Sequence, residues 1–252
     1  MILPLDAHAH IEPGIASAEL AALRSCVIAV TRSLDEYAQT RDRQDRCVVW
    51  GAGCHPGLAR EVRGFSASRM RDAIAMTPVI GEVRLDGAAR TPMESHLETL
   101  RAIVEVASDT PRLLSLHSYR ATGLVVRELR EFRPHAAILH WWLGSPEETE
   151  AAVAADAYFS VNAAQARSRK SLRLIPADRL LLETDHPFGD RSESPPRRPG
   201  NLAKSETAVS IALSVSPDAL RRRAWSNLKA IAETLNLVEM FPRDFQIQLL
   251  AA

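Results

Sequence analysis

Eight short apolar runs, separated by longer amphipathic stretches along 252 residues, constrain this chain more than any other feature. They are Ile2–Asp6, Cys26–Val30, Cys47–Ala52, Val79–Leu85, Leu113–His117, Ala137–His140, Tyr158–Asn162 and Arg179–Asp185. Several are continuously apolar, as strands covered on both faces are. Helical periodicity fills the gaps, clearest over Pro92–Ala107, Gly123–Phe132, Pro146–Ala154 and Pro217–Leu235. Pro92 behind Thr91, Pro146 behind Ser145 and Pro217 behind Ser216 read as first-turn prolines following helix caps. This alternation predicts an α/β fold, a closed (β/α)8 TIM-type barrel. A doubly wound open sheet shares the arithmetic, and strand counting alone does not exclude it. One domain over 1–252 is expected, with 236–252 a C-terminal extension that either packs across the barrel or serves an interface. A single irregular insertion, Gly189–Asn201, follows the last strand.

Charge narrows the partners. Lys+Arg and Asp+Glu both number 31, so the net charge is zero and any grip on a polyanion must come from local patches. No apolar run reaches the ~20 residues of a membrane span. The opening MILPLDAHAH meets polar residues at once and lacks a basic leader, so no secretion signal is expected. Three cysteines without a C-x-x-C pair argue against a disulfide framework or a cysteine zinc site, and a cytoplasmic location is the expectation.

The histidines are not scattered. His8, His10, His55, His117 and His140 fall at or just past the C-terminal ends of predicted strands, which in a barrel converge on one mouth. In Asp6-Ala7-His8-Ala9-His10 the two imidazoles share a face by strand alternation, provided the strand continues to residue 10. The last strand ends Glu183-Thr184-Asp185, two carboxylates on one face that need a partner if buried. A metal ion is one partner; an arginine such as Arg179 or Arg84 is the other. Glu82, His117 and His140 each add one potential ligand. Four imidazoles and two carboxylates exceed one tetrahedral site and suit two divalent ions sharing a bridging carboxylate. Mixed nitrogen and oxygen donors suit Zn, Mn or Fe, with Mg at an oxygen-rich position. Neither a dinucleotide fingerprint, a phosphate-binding P-loop nor a nucleophile elbow occurs.

In order along the chain stand D-x-H-x-H at Asp6–His10, G-C-H-P at Gly53–Pro56, G-E-V-R-L-D at Gly81–Asp86, H-S at His117–Ser118, H-W-W-L-G at His140–Gly144 and E-T-D-H-P at Glu183–Pro187. Together they resemble the TatD-like metal-dependent DNases of the amidohydrolase superfamily, over nearly the whole chain. The S-V-N at Ser160–Asn162 and R-P-G-N at Arg198–Asn201 fit the same family. The resemblance implies a barrel holding two ions, with His8, His10 and Asp185 on the first, Glu82 bridging, and His117 and His140 on the second. It implies Asp185 and Glu82 as catalytic groups, Asp185 taking or orienting the proton of the attacking water. His55 is implied as a substrate contact, and Tyr119, Arg120, Trp141 and Glu183 join it in the expected substrate set.

Three departures from the family pattern stand out. Arg84 occupies the place of a glycine, Tyr119 that of an expected arginine, and Leu143 that of a small hydroxyl residue. Arg84, two residues past Glu82, faces the same mouth and is read as supplying the absent guanidinium to a phosphate. The competing reading pairs it with Asp86 or Glu183.

DNA, as single strands or ends, is the expected partner, with a small-molecule amide, lactone or phosphoester the alternative and a degraded binding module a third class. Arg167, Arg169, Lys170 and Arg173 follow the seventh strand with no acid among them. Arg191, Arg197 and Arg198 follow the eighth, accompanied by Asp190 and Glu193. Basic loops beside a metal mouth suit phosphodiester backbones. Trp141 and Trp142 offer a stacking platform, unless one belongs to the core. Arg221–Arg223 reads as a solvated helix face. The resemblance extends to roles in DNA repair, DNA turnover or a multi-gene antiphage system with protein partners.

Overall fold

The computed structural model describes residues 2–55, 60, 64–189, 191 and 197–252. Pro56, Asp190 and Glu193 of the motifs above, with most of the 189–201 insertion's tip, lie outside the described residues.

Eight strands, β1 (Leu5–His10), β2 (Cys26–Val30), β3 (Val48–Cys54), β4 (Val79–Arg84), β5 (Leu113–His117), β6 (Ala137–His140), β7 (Tyr158–Val161) and β8 (Leu180–Leu182), form one sheet in sequence order. Every neighbouring pair is parallel. The ring closes where Asp185 N donates to His8 O (2.9 Å) and His10 N donates to His186 O (2.8 Å). The closed barrel is therefore the architecture, and the open sheet is excluded.

Among the described residues the helices are α1 (Ser17–Ala21), α2 (Leu34–Ala38), α3 (Ala67–Ile74), α4 (Met93–Asp109), α5 (Thr122–Phe132), α6 (Pro146–Ala154), α7 (Arg169–Leu172), α8 (Ala203–Leu213), α9 (Pro217–Thr234) and α10 (Arg243–Ala251). Pro146 and Pro217 open their helices behind capping serines: Ser145 Oγ accepts from Glu148 N and Ser216 Oγ from Ala219 N. Pro92 differs from expectation. It occupies the cap position itself, extended at ψ 138°, and α4 starts at Met93.

Strand alternation divides the core in two. Val27, Ala29, Trp50, Ile80, Leu114, Leu139 and Phe159 face the helices. Ala7, Ile28, Val49, Val79, Leu113, Ile138 and Leu181 belong to a second cluster, which continues into Trp225, Leu228, Phe241, Phe245 and Leu249. These last residues come from α9, α10 and the turn between them, so the 236–252 segment packs beneath the strands' N-terminal ends. Asp244 N donates to Arg46 O (3.0 Å) and Leu3 N to Gln248 Oε1 (2.9 Å), fastening the segment there. With the lower end filled, polar groups collect at the upper one.

Most strand ends fall within two residues of the sequence expectation, and the largest differences at C-terminal ends are at β1 and β8. β1 runs on to His10 instead of stopping at Asp6, with a register shift between Asp6 and Ala9. β8 stops at Leu182, and Asp185 turns left-handed at φ 44°. That conformation is unfavourable for a residue with a Cβ and is held here by its bonds to the β1 edge.

Candidate metal centre

Six side chains converge at the mouth. His8 and His10 come from β1, Glu82 from β4, His117 from β5, His140 from β6, and Asp185 from the turn after β8. His8 Nε2 and His10 Nε2 each lie 3.8 Å from Asp185 Oδ1, and His10 Nε2 lies 3.5 Å from Glu82 Oε2. Glu82 Oε1 is 3.0 Å from His140 Nε2 and 3.3 Å from His117 Nδ1. The His8 and His140 rings stack with centroids 3.7 Å apart. Two donors about 2.1 Å from one ion stand roughly 3–3.5 Å apart, so these separations are close to those of ligands awaiting a cation.

Hydrogen bonding and three of the four imidazoles agree with that geometry. Burial lowers His140 as well, but the hydrogen bond and charge of Glu82 outweigh it and push it up to about 9 in the absence of an ion. His8 Nε2, Glu82 Oε2, His117 Nε2, His140 Nδ1 and Asp185 Oδ1 are buried without a hydrogen-bond partner. An unpartnered buried polar atom costs roughly 1–3 kcal/mol, and His8 Nε2, Glu82 Oε2 and Asp185 Oδ1, which face the centre of the cluster, have a bound cation as their natural partner. Burial drives His10 down to about 4 and His117 to about 2, and holds His8 well below its ordinary range. Those rings are therefore neutral at pH 7, the form that ligates metal. Asp185 is pushed well above the usual carboxylate range by burial and by the nearby Glu183 and Glu82. Burial opposes charge on Glu82 as well. The His140 hydrogen bond and the surrounding imidazoles outweigh it and hold Glu82 well below its ordinary range. The sets His8–His10–Asp185 and His8–Glu82–His140 each bring three ligand atoms within 4.8 Å of one another. The donor set fits a divalent ion. His117 stands beside the second set, its Nδ1 2.9 Å from His140 Nε2.

The surroundings aim these ligands. Ser115 Oγ lies 2.8 Å from His8 Nδ1, leaving Nε2 to face the cluster. Asp6 is fully buried and ties β1 to the end of β8. Its carboxylate accepts from Thr184 N (2.8 Å), Thr184 Oγ1 (2.6 Å) and Gly200 N (2.8 Å). Gly200 has φ +75°, and a Cβ there would stand 1.9 Å from Ser25 Oγ, so this contact requires glycine.

A cavity of about 650 Å³ opens over five of the six ligands, with His8 buried below its floor. A larger groove of about 920 Å³ between α5 and α6 contains no such convergence of donors. Tyr119 and Trp141 wall the mouth cavity, as does Arg84. Arg84 takes the competing reading's partner: its Nη2 pairs with Asp86 (2.6 Å), and its Nη1 meets His55 Nε2 (2.6 Å) at the cavity edge. His55 Nε2 is also 3.4 Å from Glu82 Oε2.

Two expected substrate contacts sit elsewhere. Glu183 lies beneath the wall, fully buried. Its Oε1 accepts from Trp141 N (3.1 Å) and Asn162 Nδ2 (3.2 Å), and its Oε2 accepts from Ser160 Oγ. Neither expected arginine reaches Glu183, since Arg179 pairs with Asp156 (3.1 Å) and Arg84 with Asp86. Arg120 is exposed, its guanidinium 5.4 Å over the Tyr119 ring, outside the cavity lining. The tryptophans separate as well: Trp142 is core, donating Nε1 to Thr149 Oγ1 (2.8 Å).

Sequence reasoning passed over Arg32 and Phe188, both of which line the cavity. Arg32 stands two residues past the end of β2, and Phe188 follows the E-T-D-H-P run. Position just past a strand end was the available signal in both cases.

A family model, the TatD related DNase, matches residues 5–233. The chain belongs to the TatD-related DNase family. Among TatD relatives, the 3'-5' ssDNA/RNA exonuclease TatD of Erwinia billingiae is 29% identical over 84% of this chain and 88% of its own. The protein of the same name from Erwinia tasmaniensis is 31% identical over 73% of this chain and 76% of its own. A solved TatD homolog from Escherichia coli K12 superposes with a TM-score of 0.79 at 21% identity, covering 93% of this chain and 98% of that one. As a TatD-family member the protein is a hydrolase of a metal-dependent family, which is the chemistry its mouth is furnished for.

Proposed function

We propose that the protein is a metal-dependent deoxyribonuclease that trims single strands or ends of DNA. The observation that carries this reading is the cluster of unpartnered, buried nitrogen and oxygen donors on the floor of a cavity edged by arginine and aromatic side chains. The exonuclease relatives support the substrate class and a 3'-to-5' direction. His8, His10 and Asp185 would hold one divalent ion, of Zn, Mn or Mg, and Glu82 would be shared with a second held by His140 and His117. Bound there, such ions supply charge that lowers the pKa of water and offsets charge developing on phosphoryl oxygens. Asp185 orients the attacking water and takes its proton. Arg84, fixed by Asp86 and His55, presents a guanidinium to the phosphate. Trp141, Tyr119 and Phe188 offer faces to an unpaired base. DNA repair, DNA turnover and antiphage defence each require trimmed ends, and the activity serves any of them in the cytoplasm. Among the described residues no helix is long and apolar enough to cross a membrane.

The test uses purified protein stripped with chelator and reloaded separately with Mn, Mg or Zn, on end-labelled single-stranded and duplex DNA. Stepwise shortening of the single strand from its 3' end, abolished by chelator and restored by an ion, is the expected result. Asp185→Asn lowers turnover by about a hundredfold or more. Failure of all three ions on DNA, with turnover of a lactone or N-acyl substrate instead, replaces this reading with a small-molecule amidohydrolase.

A further inference from the structure

The segment between β7 and β8 carries a run of cations with no acid among them, unlike the arginines held in ion pairs around the mouth and barrel. Arg32, Arg84, Arg179 and Arg221 are ion-paired at 2.6–3.1 Å. Arg167, Arg169 and Lys170 are exposed and have no ion-pair partner among the described residues. No Asp or Glu occurs from Asn162 to Ile175. The segment is anchored beside the mouth. Gln165 Nε2 donates to Trp142 O (2.8 Å), and its Oε1 accepts from Asn162 N (2.9 Å). Ala163 N donates to Ser205 Oγ (3.1 Å), and Arg173 Nε donates to Ala212 O (3.2 Å), joining the same segment to α8. Trp141, next in sequence to one of these anchors, is a wall of the cavity. Past the end of β2 the charge is balanced: Arg32 is held by Glu36 (3.1 Å) and Glu12 (3.6 Å), and Asp35 of α2 pairs with Arg69 (2.6 Å). In a molecule of zero net charge, one side of the rim is therefore positive and the other compensated.

We infer that the α7 ledge is the track for the uncleaved part of a bound single strand, whose phosphates meet Arg167, Arg169 and Lys170 after passing Trp141. This rests on the nuclease reading of the mouth and adds the direction in which the rest of the substrate lies. The ligand is the phosphodiester backbone, so DNA and RNA strands use the same ledge.

The test compares the wild-type protein, loaded with metal, with the triple variant Arg167→Ala/Arg169→Ala/Lys170→Ala. Fluorescence anisotropy with a phosphorothioate strand of about 12 nucleotides measures affinity without cleavage, from low to high salt. Each lost phosphate contact removes about 0.7 from the slope of log affinity against log salt, so the triple variant loses about 2 and binds roughly tenfold more weakly at low salt. A dinucleotide, too short to reach the ledge, is hydrolysed with kcat/KM within about twofold of wild type. The double variant Arg222→Ala/Arg223→Ala, on α9, removes two cations elsewhere and keeps the wild-type slope. Circular dichroism confirms that each variant is folded, and Arg169→Glu repeats the measurement with a single substitution. An unchanged slope and affinity in both the triple variant and Arg169→Glu overturns the track. So does an equal loss in the α9 variant. If wild type cleaves neither substrate, the nuclease reading fails, while the binding data still judge the ledge.

Discussion

Glu183 and Asp185 stand two positions apart and have different surroundings. Asp185 presents an unpartnered oxygen to the imidazoles, whereas both oxygens of Glu183 are engaged beneath the floor. The Glu183 bond to Trp141 N matters because Trp141 has a left-handed backbone at φ 42°, which an unsupported tryptophan rarely adopts. Glu183 is thus a positioning residue for the cavity wall. Glu183→Gln replaces one acceptor with a donor facing other donors, and is expected to cost about 2 kcal/mol of stability. KM for a single strand should rise more than kcat falls, with a shifted tryptophan emission. Wild-type KM and unfolding midpoint in this variant would show that the carboxylate does not hold the wall.

At the scale of elements, the seam between β1 and β8 depends on Asp6. Asp6→Ala removes four hydrogen bonds to a buried acceptor, those above and one from His8 N (3.4 Å), leaves their donors unpaired and is expected to cost about 3 kcal/mol or more in denaturant unfolding. A second tie lies outside the barrel, where Arg43 donates to Asp45 (2.6 Å), Pro13 O (2.8 Å) and Ile15 O (2.9 Å), and Trp50 Nε1 donates to Asp45 (3.0 Å). Burial favours the neutral acid at Asp45, but the bonds from Arg43, Trp50 and Ser17 outweigh it and hold its pKa below the usual range. A lowered folded-state pKa contributes stability above the unfolded value of about 3.9, lost as pH falls through the folded one. Asp45→Asn should therefore be less stable than wild type at pH 7, with the gap narrowing below about pH 4 in parallel urea titrations.

The same elements show what the amino-acid order reveals. All eight strands were legible because burial on both faces leaves an apolar run that no exposed segment imitates. The ends of β1 and β8 were not. Polar histidines read as the close of β1, although the strand continues because the barrel interior becomes polar at its mouth. The left-handed turns at Trp141 and Asp185 leave no trace in periodicity. One of them sends Trp141 to the cavity and Trp142 to the core. Helices of five residues or fewer, such as α1, α2 and α7, complete too few turns to show a face. Five of the six candidate ligands gather in the two metal-sized sets because strand-end position is a one-dimensional property that the fold converts into proximity. Arg32 and Phe188 escaped notice because their approach is made by loops.

For the whole molecule, the six ligands come from β1, β4, β5, β6 and the turn after β8, so a bound ion ties together most of the cylinder. Chelation is expected to lower the unfolding temperature, by an amount set by about 2.7 kcal/mol when the ion had been present at a hundredfold over its dissociation constant. Scanning calorimetry with and without chelator checks this, and equal midpoints would mean that the site takes no ion. The packing of Phe241, Phe245 and Leu249 under the strands has an effect on traffic as well as on folding. A vessel stoppered at its base empties only through its neck. Each released fragment must leave by the route along which the next bond arrives, so spent product and fresh polymer compete for one seat, and the free nucleotide is expected to slow the enzyme competitively.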